Sequence, residues 1–396
     1  MKNTALALTF TALLGCSSTE PPAATELKSQ QEIDAAVKQM MSETSAQGLA
    51  LAVIDAGVVT QVSVYGNRNA KGDALTADSI MYAASLTKSA FAYLVLLLAE
   101  EDVIQLDTPI SQYLPKALPE YADAKTEDLY ARWSDLAGDE RWRSITPRML
   151  LNHASGFANF GFLEPDGKLR FHFQPGSRYA YSGDGLILLQ FVLEQGLGLD
   201  LGQEMQKRVF QPLGMNNSSM LWRDDFTGRT ADGWTIEGKI EPHDDRSRVR
   251  AAGSLDSSIA DMAKLAAAIV KGELLSEKAR QELTRPQLKI TTLSQFPTLQ
   301  AEASAEQQLS NLYSGLGVVV FEGPQGKGFF KGGHNDSTGN MLVCLEASQR
   351  CVVILGNDLR AETAIPYLVD FILGPTGLPW HWEYGNKSFW QPTTVK

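Results

Sequence analysis

Ser85 and Lys88 stand three residues apart in Ala84-Ser85-Leu86-Thr87-Lys88, directly ahead of the apolar run Ala90-Phe91-Ala92-Tyr93-Leu94-Val95-Leu96-Leu97-Leu98-Ala99. A run rich in Leu and Ala and free of Pro and Gly reads as a buried helix, which puts Ser85 in its first turn. Residues three apart share a helix face, so the Lys88 amine reaches the Ser85 hydroxyl. An apolar pocket disfavours the charged ammonium, and a neutral amine beside a serine can take its proton. The product is a nucleophile capable of forming an acyl-enzyme. Alone, Ser-x-x-Lys is a common tetrapeptide whose bland reading is a capping serine and a snorkelling lysine.

Other candidates for chemistry lie further along. His153, in Ile145-Thr146-Pro147-Arg148-Met149-Leu150-Leu151-Asn152-His153-Ala154-Ser155-Gly156, has the right side chain for a base. No carboxylate stands at a recognisable spacing, so it reads as a histidine that positions its turn. Tyr181 sits in the Gly-rich segment 174–185, where backbone can approach a ligand; it reads either as a residue at a site mouth or as a core tyrosine. The chain has no Gly-x-Ser-x-Gly elbow, which argues against an alpha/beta-hydrolase triad. Its five His residues show no metal-ligand spacing, and neither a metal nor a cofactor is expected.

The elements around these residues follow from pattern. Residues 31–45 carry Ile33, Ala36, Val37, Met40 and Met41 at helical spacing. Segments 48–54 and 58–65, split by Asp55-Ala56-Gly57, predict a hairpin. The charged stretch 120–143 reads as helical surface, 145–156 as a Thr-capped, Pro-started helix that ends in a Gly turn, and 186–193, 209–215 and 251–264 as further helices. Strands are expected at 316–321, 328–331, 341–345 and 351–355, then a helix over 362–373. Strands at both ends with helices between them imply an α+β fold: a mostly antiparallel sheet flanked by helices, with an inserted all-helical subdomain. The expected division is 31–100 with 281–375 for the sheet-containing part, 101–280 for the helical part and 376–396 for a C-terminal tail.

The chain has 396 residues, enough for a sizeable core, and a net charge of -11. Acidity and the lack of any Lys/Arg-rich run argue against nucleic acid or an anionic membrane surface as partner. Residues 1–15 read as a signal segment: Lys2, then apolar Ala5 to Leu14, ending in Leu13-Leu14-Gly15-Cys16. This resembles a bacterial lipoprotein signal with a lipid on Cys16, and Ser17-Ser18 after it resembles lipoproteins of the outer membrane in a Gram-negative host. Residues 16–30, with Pro21-Pro22, suit a flexible tether. The expected address is therefore the bacterial cell envelope, lipid-anchored and facing the periplasm. Cys344 and Cys351 flank a predicted hairpin; centred on Ala347-Ser348 it would set them opposite each other, as a disulfide in an oxidising compartment or as two buried thiols if the register shifts.

Taken together and in order, these motifs resemble the serine beta-lactamase and penicillin-binding family, particularly its class C beta-lactamase and related esterase branch, from about residue 31 to 375. Ser85-Leu86-Thr87-Lys88 matches the nucleophile motif. Leu106-Asp107-Thr108-Pro109, Leu150-Leu151-Asn152-His153-Ala154-Ser155-Gly156, Pro175-Gly176 and Ala252-Gly253-Ser254-Leu255 match structural landmarks. Tyr181-Ser182-Gly183 falls at the Tyr-x-Asn position, and Lys331-Gly332-Gly333 at the Lys-Thr-Gly position. The resemblance implies that Lys88 and Tyr181 share acid/base work on Ser85. It also implies that the backbone N–H groups of Ser85 and His334 form an oxyanion hole, and that Lys331 holds a substrate carboxylate or tunes Tyr181.

Two departures matter. Gly183 removes the amide that would orient a lactam's acylamino group, and Gly332 removes a hydroxyl that helps bind the lactam carboxylate. The expected substrate is a small carboxylic ester, handled by a monomer. A beta-lactam, a D-alanyl-D-alanine peptide and a non-catalytic penicillin-binding-like module are the alternatives. Restoring the amide by Gly183→Asn is expected to favour lactams.

Overall fold

The computed structural model describes residues 26–393; Cys16 and the signal segment lie outside the described residues. In chain order the strands are β1 (Gly48–Asp55), β2 (Val58–Gly66), β3 (Met81–Tyr82), β4 (Gly233–Trp234), β5 (Ile240–Glu241), β6 (Asp256–Ser257), β7 (Leu288–Lys289), β8 (Leu312–Ser314), β9 (Val319–Gly323), β10 (Gly326–His334), β11 (Gly339–Leu345) and β12 (Arg350–Gly356). Eight form one antiparallel sheet in the order β2-β1-β12-β11-β10-β9-β8-β7. The chain lays down two strands, leaves for the helical part, and returns at the far edge to run a meander that ends beside β1.

The apolar run Leu49 to Ile54 suits β1 to its place inside the sheet, between β2 and β12, since a strand covered on both faces cannot alternate with polar residues. Its residues divide by parity. Ala50, Ala52 and Ile54 join the core under helices Thr87–Glu100 and Ile259–Lys271, while Leu49, Leu51 and Val53 face helices Gln30–Thr44 and Ile365–Leu373. The β1–β2 turn places Ala56 and Gly57 both at positive φ (48° and 72°), the two-residue geometry whose twist suits a hairpin. At the β11–β12 hairpin Cys344 lies opposite Cys351 in register, and the two sulfurs are bonded.

Several expectations are corrected. The stretch 120–143 is a chain of short turns whose Trp133 and Trp142 are buried. Asp123 and Asp139 cap the starts of two of these turns, while the indoles supply the apolar area that charge counting overlooks. Residues 251–253 form a turn and β6 pairs with β3, so the helix expected from 251 starts only at Ile259 behind the Ser258 cap, and the one expected over 145–156 spans Pro147–Leu151. The helical turns expected over 209–215 lie earlier, at 201–210. The insertion is not all-helical, because it holds the β4–β5 ribbon. Residues 29 and 30 belong to the first helix through a Ser29–Glu32 capping box, so the expected tether is shorter. The expected C-terminal tail folds back: helix Trp380–Tyr384 follows Pro379 and buries Trp382 and Glu383. Five residues are too few to display helical periodicity, yet two indoles and a tyrosine carry enough apolar area to hold the segment down.

Candidate active site

Helix Thr87–Glu100 is apolar on every side, and Thr87 to Leu98 are all buried. Such a helix is fixed by packing all round, so whatever its N-terminus carries is held rigidly. Ser85 rides on the short 3-10 turn Ala84–Leu86 just before it, and Ala84 adopts a left-handed φ of 47°. That conformation is costly for a residue with a β-carbon and persists only where neighbours enforce it. The Thr87 hydroxyl does so, donating to Ala84 O at 2.6 Å while accepting from Leu255 N at 3.0 Å.

Lys88 is 2% exposed and its Nζ lies 3.0 Å from Ser85 Oγ and 2.5 Å from Ala252 O. Burial, with the Lys331 charge as a smaller contribution, pushes its ammonium well below the ordinary lysine range. Tyr181 comes from a different element. Ser182 caps helix Gly183–Phe191 by accepting from Gly185 N at 3.0 Å, and its own N–H donates to His153 Nδ1 at 3.1 Å. These contacts aim Tyr181 Oη at Ser85 Oγ, to which it donates at 2.7 Å. Burial pushes the phenol upward, so it keeps its proton at neutral pH.

His153 packs its ring on Tyr181 with centroids 4.5 Å apart. Burial first, then Lys88 and Lys331, push it well below the usual histidine range, and its Nδ1 accepts rather than donates. It is a neutral wedge behind Tyr181, as its sequence context suggests.

The third wall is β10. A β-carbon on Gly333 would lie 2.9 Å from Ser85 N and 3.0 Å from Leu86 N, so only glycine lets the strand come this close to the Ser85 turn. Lys331 and Gly333 therefore face the Ser85 turn, and His334 N follows directly. Lys331 is buried, donates to Gly332 O at 2.6 Å, and lies 5.0 Å from the Tyr181 ring centre. Burial depresses its pKa. The structure thus gathers Ser85, Lys88, Tyr181, Lys331, Gly332, Gly333 and His334 around one cavity of about 390 Å³. Cys344 and Cys351 do not line it.

Sequence reasoning missed Glu383, Gln295, Phe160 and Phe296, which also line the cavity. Glu383 accepts from Gln295 Nε2 at 2.7 Å, and burial pushes its carboxyl upward. The clustered aromatics Trp380-His381-Trp382-Glu383-Tyr384 were the available signal that this segment packs. Phe160, by contrast, reaches the cavity from an irregular loop that no periodicity marks. Among the described residues no group of three or more His, Cys, Asp or Glu is placed to hold a metal ion.

Comparison with known proteins follows the same lines. The family model Beta-lactamase matches residues 33–370. The chain is 31% identical over 180 residues to the lovastatin esterase of Penicillium rubens, covering 39% of this chain and 43% of that one. It is 23% identical over 324 residues to the unguisins hydrolase ungD' of Aspergillus campestris, covering 74% and 57%. The matches thus span about half the length of these curated relatives. In structure it is similar to the octameric penicillin-binding protein homologue from Pyrococcus abyssi, with a TM-score of 0.67 at 18% identity, covering 88% of this chain and 78% of that one.

Proposed function

The chain belongs to the beta-lactamase family, whose members are serine hydrolases, and from that premise we propose that it hydrolyses small carboxylic esters through an acyl-enzyme on Ser85. The observation that carries this reading is the position of Ser85 Oγ, 3.0 Å from a desolvated lysine amine and 2.7 Å from a protonated tyrosine hydroxyl.

The electrostatics divide the acid/base work. Lys88 is pushed toward the neutral amine, so it takes the Ser85 proton as Oγ attacks the ester carbonyl. Tyr181, which keeps its phenolic proton, passes it to the leaving alkoxide and recovers one from Lys88. Developing charge on the carbonyl oxygen falls to the backbone N–H groups of Ser85 and His334. The Ser85 N–H opens its turn, where no intrahelical acceptor is available. Water then attacks the acyl-enzyme by the reverse proton path, releasing the acid and restoring Ser85.

The ester preference is supported by what surrounds Ser85. Phe160 and Phe296 give the cavity apolar walls, and position 183 carries no amide to orient an acylamino group. A small ester needs less of that orientation than a bicyclic lactam or a peptide. Lys331 keeps a positive charge that leaves slow lactam turnover within reach of the same site. Comparing kcat/KM for a short-chain aryl ester, a chromogenic cephalosporin and a D-alanyl-D-alanine peptide tests the assignment: the ester should lead, and a faster cephalosporin would make the enzyme a beta-lactamase. The address proposed for this activity is the periplasmic face of the envelope, on a Cys16 lipid. The lipoprotein-like Leu-Leu-Gly-Cys segment and the bonded Cys344–Cys351 pair support it.

A further inference from the structure

Gly332 stands where the family motif carries a hydroxyl residue, and the reason lies in another part of the chain. A β-carbon on Gly332 would collide with Oε1 of Glu383, delivered by the C-terminal helix Trp380–Tyr384. The space that a threonine would fill beside Lys331 already holds a carboxylate. Glu383 is 3% exposed and lines the same cavity as Ser85. Its two oxygens differ. Oε2 accepts from Gln295 Nε2 at 2.7 Å, and Gln295 is itself fixed by Tyr179 Oη at 3.2 Å and by its backbone N–H to Trp382 O at 2.7 Å. Oε1 has no hydrogen-bond partner among the described residues. Burial opposes the charge on this carboxylate, and Lys331 in the same wall is the charge that acts on it most strongly, favouring the ionised form. Oε1 is packed against Gly332 at the cavity wall, and a buried acceptor held rigidly there without a donor is costly unless a ligand supplies one.

We propose that Glu383 sets the substrate class of this site: it bars esters that carry a carboxylate on the leaving-group side, and its free Oε1 takes a hydrogen bond from an uncharged donor, a hydroxyl or amide N–H, on that part of the substrate. The inference rests on the ester-hydrolase reading above. A carboxylate drawn toward Lys331, as the family resemblance implies, would come to rest against the Glu383 carboxylate, and two like charges at close range in a poorly solvated cavity repel strongly. A cationic group is disfavoured in turn by Lys331 in the same wall. What remains is a neutral group with a hydrogen to donate. Building clashes against the wrong ligand while leaving an acceptor for the right one is how a site separates substrates of equal reactivity.

The test compares three acetate esters of similar size on the full chain: 3-(hydroxymethyl)phenyl, 3-methylphenyl and 3-carboxyphenyl acetate. The parental kcat/KM should fall in that order, with the carboxylate at least tenfold below the methyl compound. In Glu383→Gln the ratio of carboxylate to methyl should rise at least tenfold. In Gly332→Thr/Glu383→Ala, where the threonine has room, it should rise further. If the variants fail to fold, competitive inhibition of the parent decides: benzyl alcohol should inhibit more strongly than benzoate. A carboxylate-to-methyl ratio that stays within twofold between parent and Glu383→Gln, or benzoate inhibiting as well as benzyl alcohol, overturns the role of Glu383 while leaving the esterase reading intact. Turnover that survives Ser85→Ala overturns that reading instead, and the inference falls with it.

Discussion

The ring of Phe160 occupies the space into which a side chain at Gly183 would project: a β-carbon on Gly183 would collide with Phe160 Cε1 and Cζ. Asn159 fixes the loop from the other side, its backbone carbonyl accepting from Gly183 N at 2.8 Å and its Oδ1 at 3.0 Å. The family's missing asparagine and the local packing are therefore one feature. Gly183→Asn alone, the restoration that the sequence suggests, has nowhere to put its amide.

Gly183→Asn is accordingly expected to lower Tm without raising cephalosporin turnover, and Phe160→Ala/Gly183→Asn to recover stability and raise the lactam-to-ester ratio. Residues in direct contact couple by about 0.5–3 kcal/mol in a double-mutant cycle. Additive effects of the two substitutions on Tm, together with a lactam gain in Gly183→Asn alone, would show that Phe160 does not block the position.

Lys88→Ala and Tyr181→Phe should each lower kcat/KM for an aryl ester by about 10² or more, the scale of a general acid or base. The pH profile distinguishes their roles. The reactive form of Lys88 is the neutral amine, so the parental rate should rise with pH through an inflection below the ordinary lysine value of about 10.4. Tyr181→Phe should keep that inflection and Lys88→Ala should lose it. An unchanged acid limb in Lys88→Ala would assign the base elsewhere.

The same desolvation makes stability depend on pH. Lys88 has a folded pKa below its unfolded one, so between the two values the unfolded chain binds the extra proton, and stability rises as pH increases. Lys88→Met removes this dependence. The denaturant midpoint of Lys88→Met relative to the parent should therefore be most favourable near pH 7 and shift toward the parent as pH approaches about 10. A difference that is flat over this range would mean Lys88 stays charged in the folded protein.

Much of this site was readable before any fold. Ser85, Lys88, Tyr181 and Lys331 sit in short motifs whose spacing maps directly onto a helix turn, a helix cap and a strand. The strand β1, buried on both faces, announces itself by an unbroken apolar run. What escaped was carried by tertiary packing: Trp133 and Trp142 sit among charges yet fill the core, and Glu383 lies in a segment too short to show a period. The collisions that explain Gly183 and Gly332 join residues 23 and 51 positions apart, from loops and a terminal helix, which no local pattern encodes.

The cysteines give a separate check. Alkylation of the unfolded, unreduced protein should leave Cys344 and Cys351 unmodified, and Cys344→Ser/Cys351→Ser should cost about 2 kcal/mol, the loop entropy of so short a closure. Cys16→Ser, expressed in a bacterial host, should move the protein from the membrane fraction to the soluble one or leave its precursor unprocessed. Two alkylated thiols would contradict the bridge, and unchanged mass and partitioning would contradict the lipid.

Whether Ser85 is the nucleophile is decided by treating the full chain with a fluorophosphonate and mapping the adduct by peptide mass. One adduct per chain is expected, on Ser85, with loss of aryl-ester turnover in proportion to labelling and no adduct in a folded Ser85→Ala variant. An adduct on another residue, or a fully labelled protein that still hydrolyses the ester, would contradict that role for Ser85.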